Sequence, residues 1–272
     1  MNLHEFKNII WSYYAAQGRL FDWRNVDDPY KVFISEVMLQ QTQTYRVAPK
    51  YAQFIAAFES FEVLAKASLK DVLYHWQGLG YNRRGMYLHK AAQIVMHDYA
   101  GILPSDPALL VTLPGIGRAT AASIVAFAFN TPTVFIETNI RTVFIHCFFA
   151  DKQNVDDKDI LPFVQAALDV ENPREWYYAL MDYGVMLKKT LPNPSRKSKH
   201  HQKQSKFEGS DRQVRGKIIK LLTQASEPLS QQELIKAVGD NEQRTCRIIQ
   251  QLKDEKFIAF HSHDYLAILD RQ

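Results

Sequence analysis

Cysteine is scarce in this chain of 272 residues: there are two, Cys147 and Cys246. Two thiols are too few for a disulfide scaffold, an all-cysteine zinc site or an all-cysteine iron–sulfur cluster, and a reduced, cytoplasmic setting is the expectation. Glycine and proline, at 11 each, are too few for a collagen-like or low-complexity chain. No uncharged apolar stretch reaches the roughly 18 residues a membrane span needs, so no membrane association is expected. The start, MNLHEFKNII, lacks a basic end followed by an apolar core, and no secretory signal is expected. What is present is the balance of a folded globular protein, 46% hydrophobic and 23% charged, with room for one large domain or two ordinary ones. The net charge of +4 permits a polyanionic partner without requiring one.

The positive charge is concentrated. Between Lys188 and Lys220 stand eleven Lys or Arg, beginning with Lys188, Lys189, Arg196, Lys197 and Lys199, and only Glu208 and Asp211 oppose them. Pro192, Pro194 and a Ser/Lys/His-rich run break any helix there. The stretch is either a solvated tether or an ordered basic loop that contacts phosphate. Before it the pattern is mostly helical. Asp28-Pro29 predicts a cap and first helical position for 30–41, and 54–57, 64–76, 86–99, 118–129 and 176–187 carry further helical spacings. After it, 212–224, 230–238 and 241–256 predict three helices, the second opened by Ser230 and Glu233 at capping-box spacing. Two strands, 257–260 and 265–269, flank the polar turn 261–264. That order is the order of a winged-helix module. Its third helix is only weakly basic, with Arg244, Arg247, Lys253 and Lys256 set against Glu242, Asp254 and Glu255, so reading DNA and merely packing are both open.

Three short runs carry chemistry. Leu113-Pro-Gly-Ile-Gly117 lies between two helices; its glycines allow positive φ and close approach of another backbone, and its amides at a helix start suit a phosphate. An ordinary interhelical turn has the same composition. Ile34-Ser-Glu-Val-Met-Leu-Gln-Gln-Thr42 places one acid, Glu36, in a largely apolar helix, where burial raises a carboxyl toward the range a general acid needs; a solvated helix residue is the plainer reading. Val134-Phe-Ile-Glu-Thr-Asn-Ile-Arg141 puts a second acid, Glu137, and Asn139 into an apolar stretch. They either cap the next helix or face the first acid across a cleft, an arrangement that serves cleavage through an oxocarbenium-like transition state. Capping and catalysis are compatible.

These runs, together with Asp22-Trp-Arg24, DPYKVFISEVMLQQTQT, Trp76-Gln-Gly-Leu-Gly-Tyr81, LPGIGRATA and the MDYG at 181–184, resemble the helix-hairpin-helix (HhH-GPD) DNA glycosylase superfamily, and within it the adenine DNA glycosylase (MutY-like) branch. The resemblance covers about residues 11–187. It implies base flipping from duplex DNA and cleavage of the N-glycosidic bond. Carried over, Glu36 is the acid that protonates adenine at N7, and Glu137 with Asn139 is the second catalytic group. Trp23, Arg24, Gln41, Tyr81, Asn82, Ala119 and Tyr178 line the base pocket or the intercalation edge. Leu113, Gly115, Ile116, Gly117, Arg118 and Thr120 grip phosphate, helped by Lys188, Lys189, Arg196, Lys197 and Lys199. The main-chain carbonyls of Val111, Leu113 and Ile116 match a sodium or potassium site in such hairpins; no cofactor is expected to be required.

The departures from the family are specific. Its second acid is an aspartate in a pattern like Asp-Gly-Asn; here stand Glu137-Thr138-Asn139, one C–C bond longer, about 1.5 Å. Ala119 occupies the position of lysine in bifunctional relatives, so no amine is available there for a Schiff base, which implies a monofunctional enzyme. Asn82 replaces a second tyrosine. The stretch after Met186, LKKTLPNPSRKSKHHQKQ, where the family's cluster loop stands, holds no cysteine, so no 4Fe-4S cluster is expected, and a winged-helix-like segment is expected in place of the family's 8-oxoguanine-reading C-terminal domain. The expectation is therefore a mainly α, two-lobed helix-hairpin-helix glycosylase fold with a small α+β winged-helix domain. Residues 1–24 and 134–205 form one lobe with the basic loop, 25–133 the helical barrel with the hairpin, and 206–272 the winged helix. Its partner is double-stranded DNA with a mispaired or damaged base, most simply adenine opposite 8-oxoguanine or guanine. Removal of uracil, thymine, hypoxanthine or an alkylated purine is the alternative, and a non-catalytic DNA-binding protein the alternative of another class. A cytoplasmic, nucleoid-associated monomer is expected.

Overall fold

The computed structural model describes residues 1–24, 26–202, 206–262 and 264–269. Lys203 of the basic stretch and His263 of the 261–264 turn lie outside them. In chain order the helices are α1 (Leu3–Gln17), α2 (Pro29–Leu39), α3 (Thr44–Ala57), α4 (Phe61–Lys66), α5 (Leu69–Trp76), α6 (Arg83–Asp98), α7 (Pro107–Leu110), α8 (Arg118–Phe129), α9 (Thr138–Phe148), α10 (Asp157–Ala167) and α11 (Pro173–Thr190). A 3-10 turn (Pro194–Lys197) follows, then α12 (Asp211–Gln224), β1 (Leu229–Ser230), α13 (Gln231–Val238), α14 (Glu242–Asp254), β2 (Ile258–Ser262) and β3 (Tyr265–Ile268). The three strands form one antiparallel sheet in the order β1-β3-β2. The fold is thus mainly helical, with a small sheet at its C-terminal end, as the sequence pattern predicts. None of its helices, among the described residues, is long and apolar enough to cross a membrane.

The chain divides into two compact units. The first comprises Met1–Glu36, Pro104–Thr112 and Ile116–Lys203. Its core is aromatic: Phe6 of α1 meets Phe144 of α9 at 5.2 Å and Trp176 of α11 at 6.0 Å between ring centres, all three fully buried. Helix α11 runs flush against the start of α9. A Cβ added at Gly184 falls 2.4 Å from the Asn139 carbonyl oxygen, so only glycine fits at that crossing. Helix α11 ends at Thr190, before Pro192 and Pro194, as expected from proline's missing N–H. The basic stretch beyond is an ordered loop rather than a tether as far as residue 202. Pro194, Ser195 and Ser198 are buried. Val155 N–H donates to the Lys197 carbonyl at 2.9 Å and Lys199 N–H to the Val155 carbonyl at 3.0 Å, and Asp156 takes Lys199 at 3.1 Å and His200 at 3.2 Å.

The second unit comprises Val37–Leu103, Leu113–Gly115 and Gln204–Gln272. The predicted helix over 64–76 is in fact two, α4 and α5, because Ser68 starts a new one by accepting from the Asp71 N–H at 3.0 Å. Three helices and a hairpin follow the basic stretch in the predicted order, and Ser230 and Glu233 complete their capping box. The core of this C-terminal segment is continuous with α5 and α6. Leu69 and Leu73 of α5 and Met86 of α6 belong to one buried cluster with Ile218, Leu222, Ile248, Leu252, Phe257 and Leu266. Polar contacts reinforce the join: Lys70 Nζ donates to the Ala225 carbonyl at 2.7 Å, and Glu255 binds both Arg83 at 2.8 Å and Arg215 at 2.5 Å. On α14, Arg244 and Arg247 are both paired with Asp211, which consumes much of the helix's positive charge.

Candidate active site

Glu36 sits one turn before the end of α2, among buried Phe33, Ile34, Val37 and Met38. The residue as a whole keeps some exposure, while its carboxyl is buried. Burial is the main cause that pushes its pKa up to about 7; a hydrogen bond from Ser123 pulls the other way, the charge of Glu137 adds to the rise, and Arg24 opposes it. Ser123 Oγ lies 2.5 Å from Glu36 Oε2 and 3.0 Å from the Thr120 carbonyl.

Glu137 is the N-cap of α9. Its Oε1 accepts from the Asn139 N–H at 2.7 Å and the Ile140 N–H at 2.8 Å, and its Oε2 from Asn139 Nδ2 at 3.2 Å. The extra methylene of glutamate is taken up in reaching over its own helix start, so the residue caps and presents a charge at once. Among the described residues, Asn139 Oδ1 is buried with no hydrogen-bond partner. Lys188, in the last turn of α11, is partly desolvated; burial lowers its pKa, and the negative charge of Glu137 works against that.

Arg24 and Asp182 form a buried, two-pronged ion pair, Nη1 to Oδ2 at 2.9 Å and Nη2 to Oδ1 at 2.8 Å. Arg19 adds its backbone N–H and its Nε, each at 2.7 Å. Burial alone would raise the Asp182 carboxyl, but these donors hold it below its ordinary value. The Arg24 guanidinium lies 4.4 Å over the Tyr178 ring, which stacks on Phe127 at 4.6 Å and 4°. Trp23 stacks on Phe21 at 4.6 Å and 6°. Glu36, Glu137, Asn139, Trp23, Arg24 and Tyr178 therefore share the first unit, with flat rings and a fixed guanidinium beside two carboxyl groups.

The remaining predicted positions are placed as follows. Gly115 has φ +79°, and a Cβ there would press on Tyr87 at 3.1 Å, which accounts for the glycine in the hairpin. Gly117 is the N-cap of α8 without a side-chain cap bond, and Arg118 and Ala119 are exposed in its first turn, followed by half-buried Thr120. Leu113 and Ile116 are buried, and Val111 ends α7. Gln41 and Tyr81 are both in the left-handed region, φ 53° and 48°. Arg84 clasps both loops of the second unit. Its Nη1 donates to the Val37, Met38 and Gln40 carbonyls and its Nη2 to Thr42 Oγ1 and the Leu79 and Gly80 carbonyls, at 2.6–3.3 Å. Arg212 donates to the Tyr81 hydroxyl at 2.9 Å, and Asn82 precedes α6. Lys189, Arg196 and Lys199 are exposed, while Lys197 is turned back onto the Ala150 carbonyl at 2.5 Å.

Sequence reasoning missed Ser123, Asp182, Arg19 and Arg84. Ser123, a serine among the alanines of α8, gave no signal, and Arg84 gave none either, since its six acceptors are main-chain or loop atoms.

The HhH-GPD superfamily base excision DNA repair protein family matches residues 34–161. An adenine DNA glycosylase of Mycobacterium tuberculosis (strain ATCC 25618 / H37Rv) is 30% identical over 254 residues, covering 83% of this chain and 81% of that protein. The chain belongs to the HhH-GPD superfamily. Within it, adenine DNA glycosylase of Buchnera aphidicola subsp. Baizongia pistaciae is 33% identical over 184 residues, 67% of this chain and 52% of that protein. The chain spans about half the length of this and the next two curated relatives it matches (52–55%). Among solved structures, a thermostable thymine-DNA glycosylase superposes with TM-score 0.61 at 24% identity, over 68% of this chain and 86% of that one. A DNA complex of endonuclease III gives 0.54 at 16%, over 69% and 86%. At these identities the two structures support the fold.

Relatives in the adenine branch imply a four-thiolate cluster, which the residues of this chain do not fit. Cys147 is on α9 and Cys246 on α14, in different units, and burial pushes the Cys147 thiol up to about 11, away from the thiolate a cluster needs. The segment where a cluster loop would follow α11 is instead held by Pro194, Ser195 and the Val155–Ser198 bridge.

Proposed function

We propose that this chain is a monofunctional DNA glycosylase that takes a mispaired base out of duplex DNA and hydrolyses its N-glycosidic bond, with adenine opposite 8-oxoguanine or guanine as the substrate. The observation that carries the reading is Glu36. A carboxyl with its pKa near 7 is a proton donor at working pH, and it shares its unit with the capped carboxylate of Glu137. Glu36 gives its proton to N7 of the adenine. The C1′–N9 bond breaks with its electron pair going to the base, and Glu137 stabilises the positive charge that develops on the sugar. Water then adds to C1′, and its surplus proton returns to Glu36. The exposed Ala119 leaves no amine at the hairpin helix for a covalent imine. The carbonyls of Val111, Leu113 and Ile116 are oxygen donors of the kind hard cations take, and no step of this reaction runs through such an ion. Lys189, Arg196 and Lys199 supply phosphate contacts.

Single-turnover excision on duplexes with adenine opposite 8-oxoguanine, adenine opposite guanine, and uracil opposite guanine tests this. The expected result is strand scission at adenine that depends on hot alkali, abolished in Glu36→Gln with DNA affinity retained. Release of uracil alone would move the substrate to another base, scission without alkali would refute the monofunctional reading, and full activity of Glu36→Gln would refute the assignment of the acid.

A further inference from the structure

Ser123 is one helix turn into α8 and almost fully buried, at 5% exposure. Its Oγ is 2.5 Å from Glu36 Oε2 and 3.0 Å from the carbonyl of Thr120. A hydroxyl has one proton to donate and two lone pairs to accept with, so it cannot donate to both neighbours at once. The two neighbours differ in what they can do. The Thr120 carbonyl only accepts. A carboxyl oxygen accepts when ionised and donates when protonated.

We propose that Ser123 is a positioning residue that holds the acid Glu36 in one place in both of its protonation states by reversing its hydrogen bond. With Glu36 ionised, Ser123 donates to Oε2. With Glu36 protonated, the carboxyl proton goes to Ser123 Oγ and the hydroxyl turns its own proton to the Thr120 carbonyl. A fixed N–H donor in the same place would favour only the ionised acid, and a methyl group would leave the ionised acid unbonded in a desolvated site. The turn of a hydroxyl costs little, so the acid is kept aligned before it gives up its proton and after. Among the described residues, Ser123 is the group hydrogen-bonded to the Glu36 carboxyl, and the charged and titratable groups around that pair are these. Glu137, at the start of α9, is a second carboxylate; Arg24, in the loop before α2, only donates; Tyr178 of α11 is a phenol held neutral by burial; and Lys188 of α11 faces Glu137. The inference rests on Glu36 being the acid of the proposed reaction.

The test is the titration of Glu36 in the full chain, followed by carbon NMR with labelled glutamate, its signal identified by comparison with Glu36→Gln. Ser123→Ala removes the hydroxyl from a helix that favours alanine; Ser123→Cys keeps the size with a weaker donor; Ser123→Thr keeps the hydroxyl. The Glu36 midpoint should rise by about one pH unit in Ser123→Ala, as losing a hydrogen bond to a charged group requires. It should rise less in Ser123→Cys and stay in place in Ser123→Thr. The pH above which single-turnover excision is lost should rise with it. A wild-type midpoint in Ser123→Ala, or a rise in Ser123→Thr as large as in Ser123→Ala, would overturn the proposal, as would a fall in rate at every pH with no movement of the midpoint. A moved midpoint in a protein that releases no base from any duplex would strike the glycosylase reading and leave the Ser123 inference standing.

Discussion

At the scale of single residues the site is built from groups that are individually unfavourable to bury. Glu36 has its pKa raised from 4.5 to about 7, which is a statement about stability as well as chemistry. A raised carboxyl is accommodated without loss below the unfolded value, near 4.5, and stability is lost as pH climbs toward and through about 7. The full difference is on the order of 3 kcal/mol. Glu36→Gln, which cannot ionise, should therefore be more stable than the wild type at pH 8 by up to about that amount. The gap should close as the pH falls to 4.5; urea denaturation of both proteins at a series of pH values checks it. Equal stability at pH 8 would mean that the carboxyl is better solvated than its surroundings imply. The place of Glu36 in an apolar helix was legible in the sequence, although the residues alone favoured a solvated side chain and its reading as the acid came from the family resemblance. Ser123 was not, because a serine in a helix of alanines is ordinary until something polar is found opposite it.

At the scale of elements, the acids are placed by where helices begin and cross. Glu137 caps α9, the first of the two readings that the sequence left open, and its charge reaches Glu36. The crossing that fixes it is Gly184 against the Asn139 carbonyl. Gly184→Ala puts a methyl group 2.4 Å from that oxygen and must push α11 away from the start of α9. The expected cost is about 1–3 kcal/mol of stability, with excision reduced at least 100-fold by displacement of Glu137 and Asn139. A melt together with a single-turnover assay reads both. Alanine's better helix propensity predicts the opposite sign for stability if the crossing has room. The break between α4 and α5 belongs to this scale too. A serine cap inside a continuous apolar pattern decided it, where periodicity alone ran the two helices together.

At the scale of the whole molecule, the C-terminal segment lies in the same compact unit as α3 to α6. Ile248 of α14 is fully buried in the same cluster as Leu69, Leu73 and Met86. Ile248→Ala should cost about 2–5 kcal/mol, and the loss should be felt by α5 and α6 as well as by α12 to α14. Hydrogen exchange is the measurement: faster exchange in both α14 and α5–α6 is expected, whereas a change confined to 206–272 would show that the segment unfolds separately.

The family resemblance, the hairpin, the order of elements and the places of the two carboxyl groups follow from local features that neighbouring residues can encode: a lone acid in an apolar helix, glycines at a turn, a proline after a cap, a capping box. The partners of those residues depend on pairs far apart in the chain, which no local pattern specifies. Ser123 meets Glu36, Arg24 and Arg19 meet Asp182, Gly184 meets Asn139, and Leu69 meets Ile248's cluster only once the helices have packed. Burial by those distant segments raises the Glu36 pKa, so the sequence determined that a lone carboxyl lies in an apolar helix and the tertiary structure decided that it holds a proton near neutral pH.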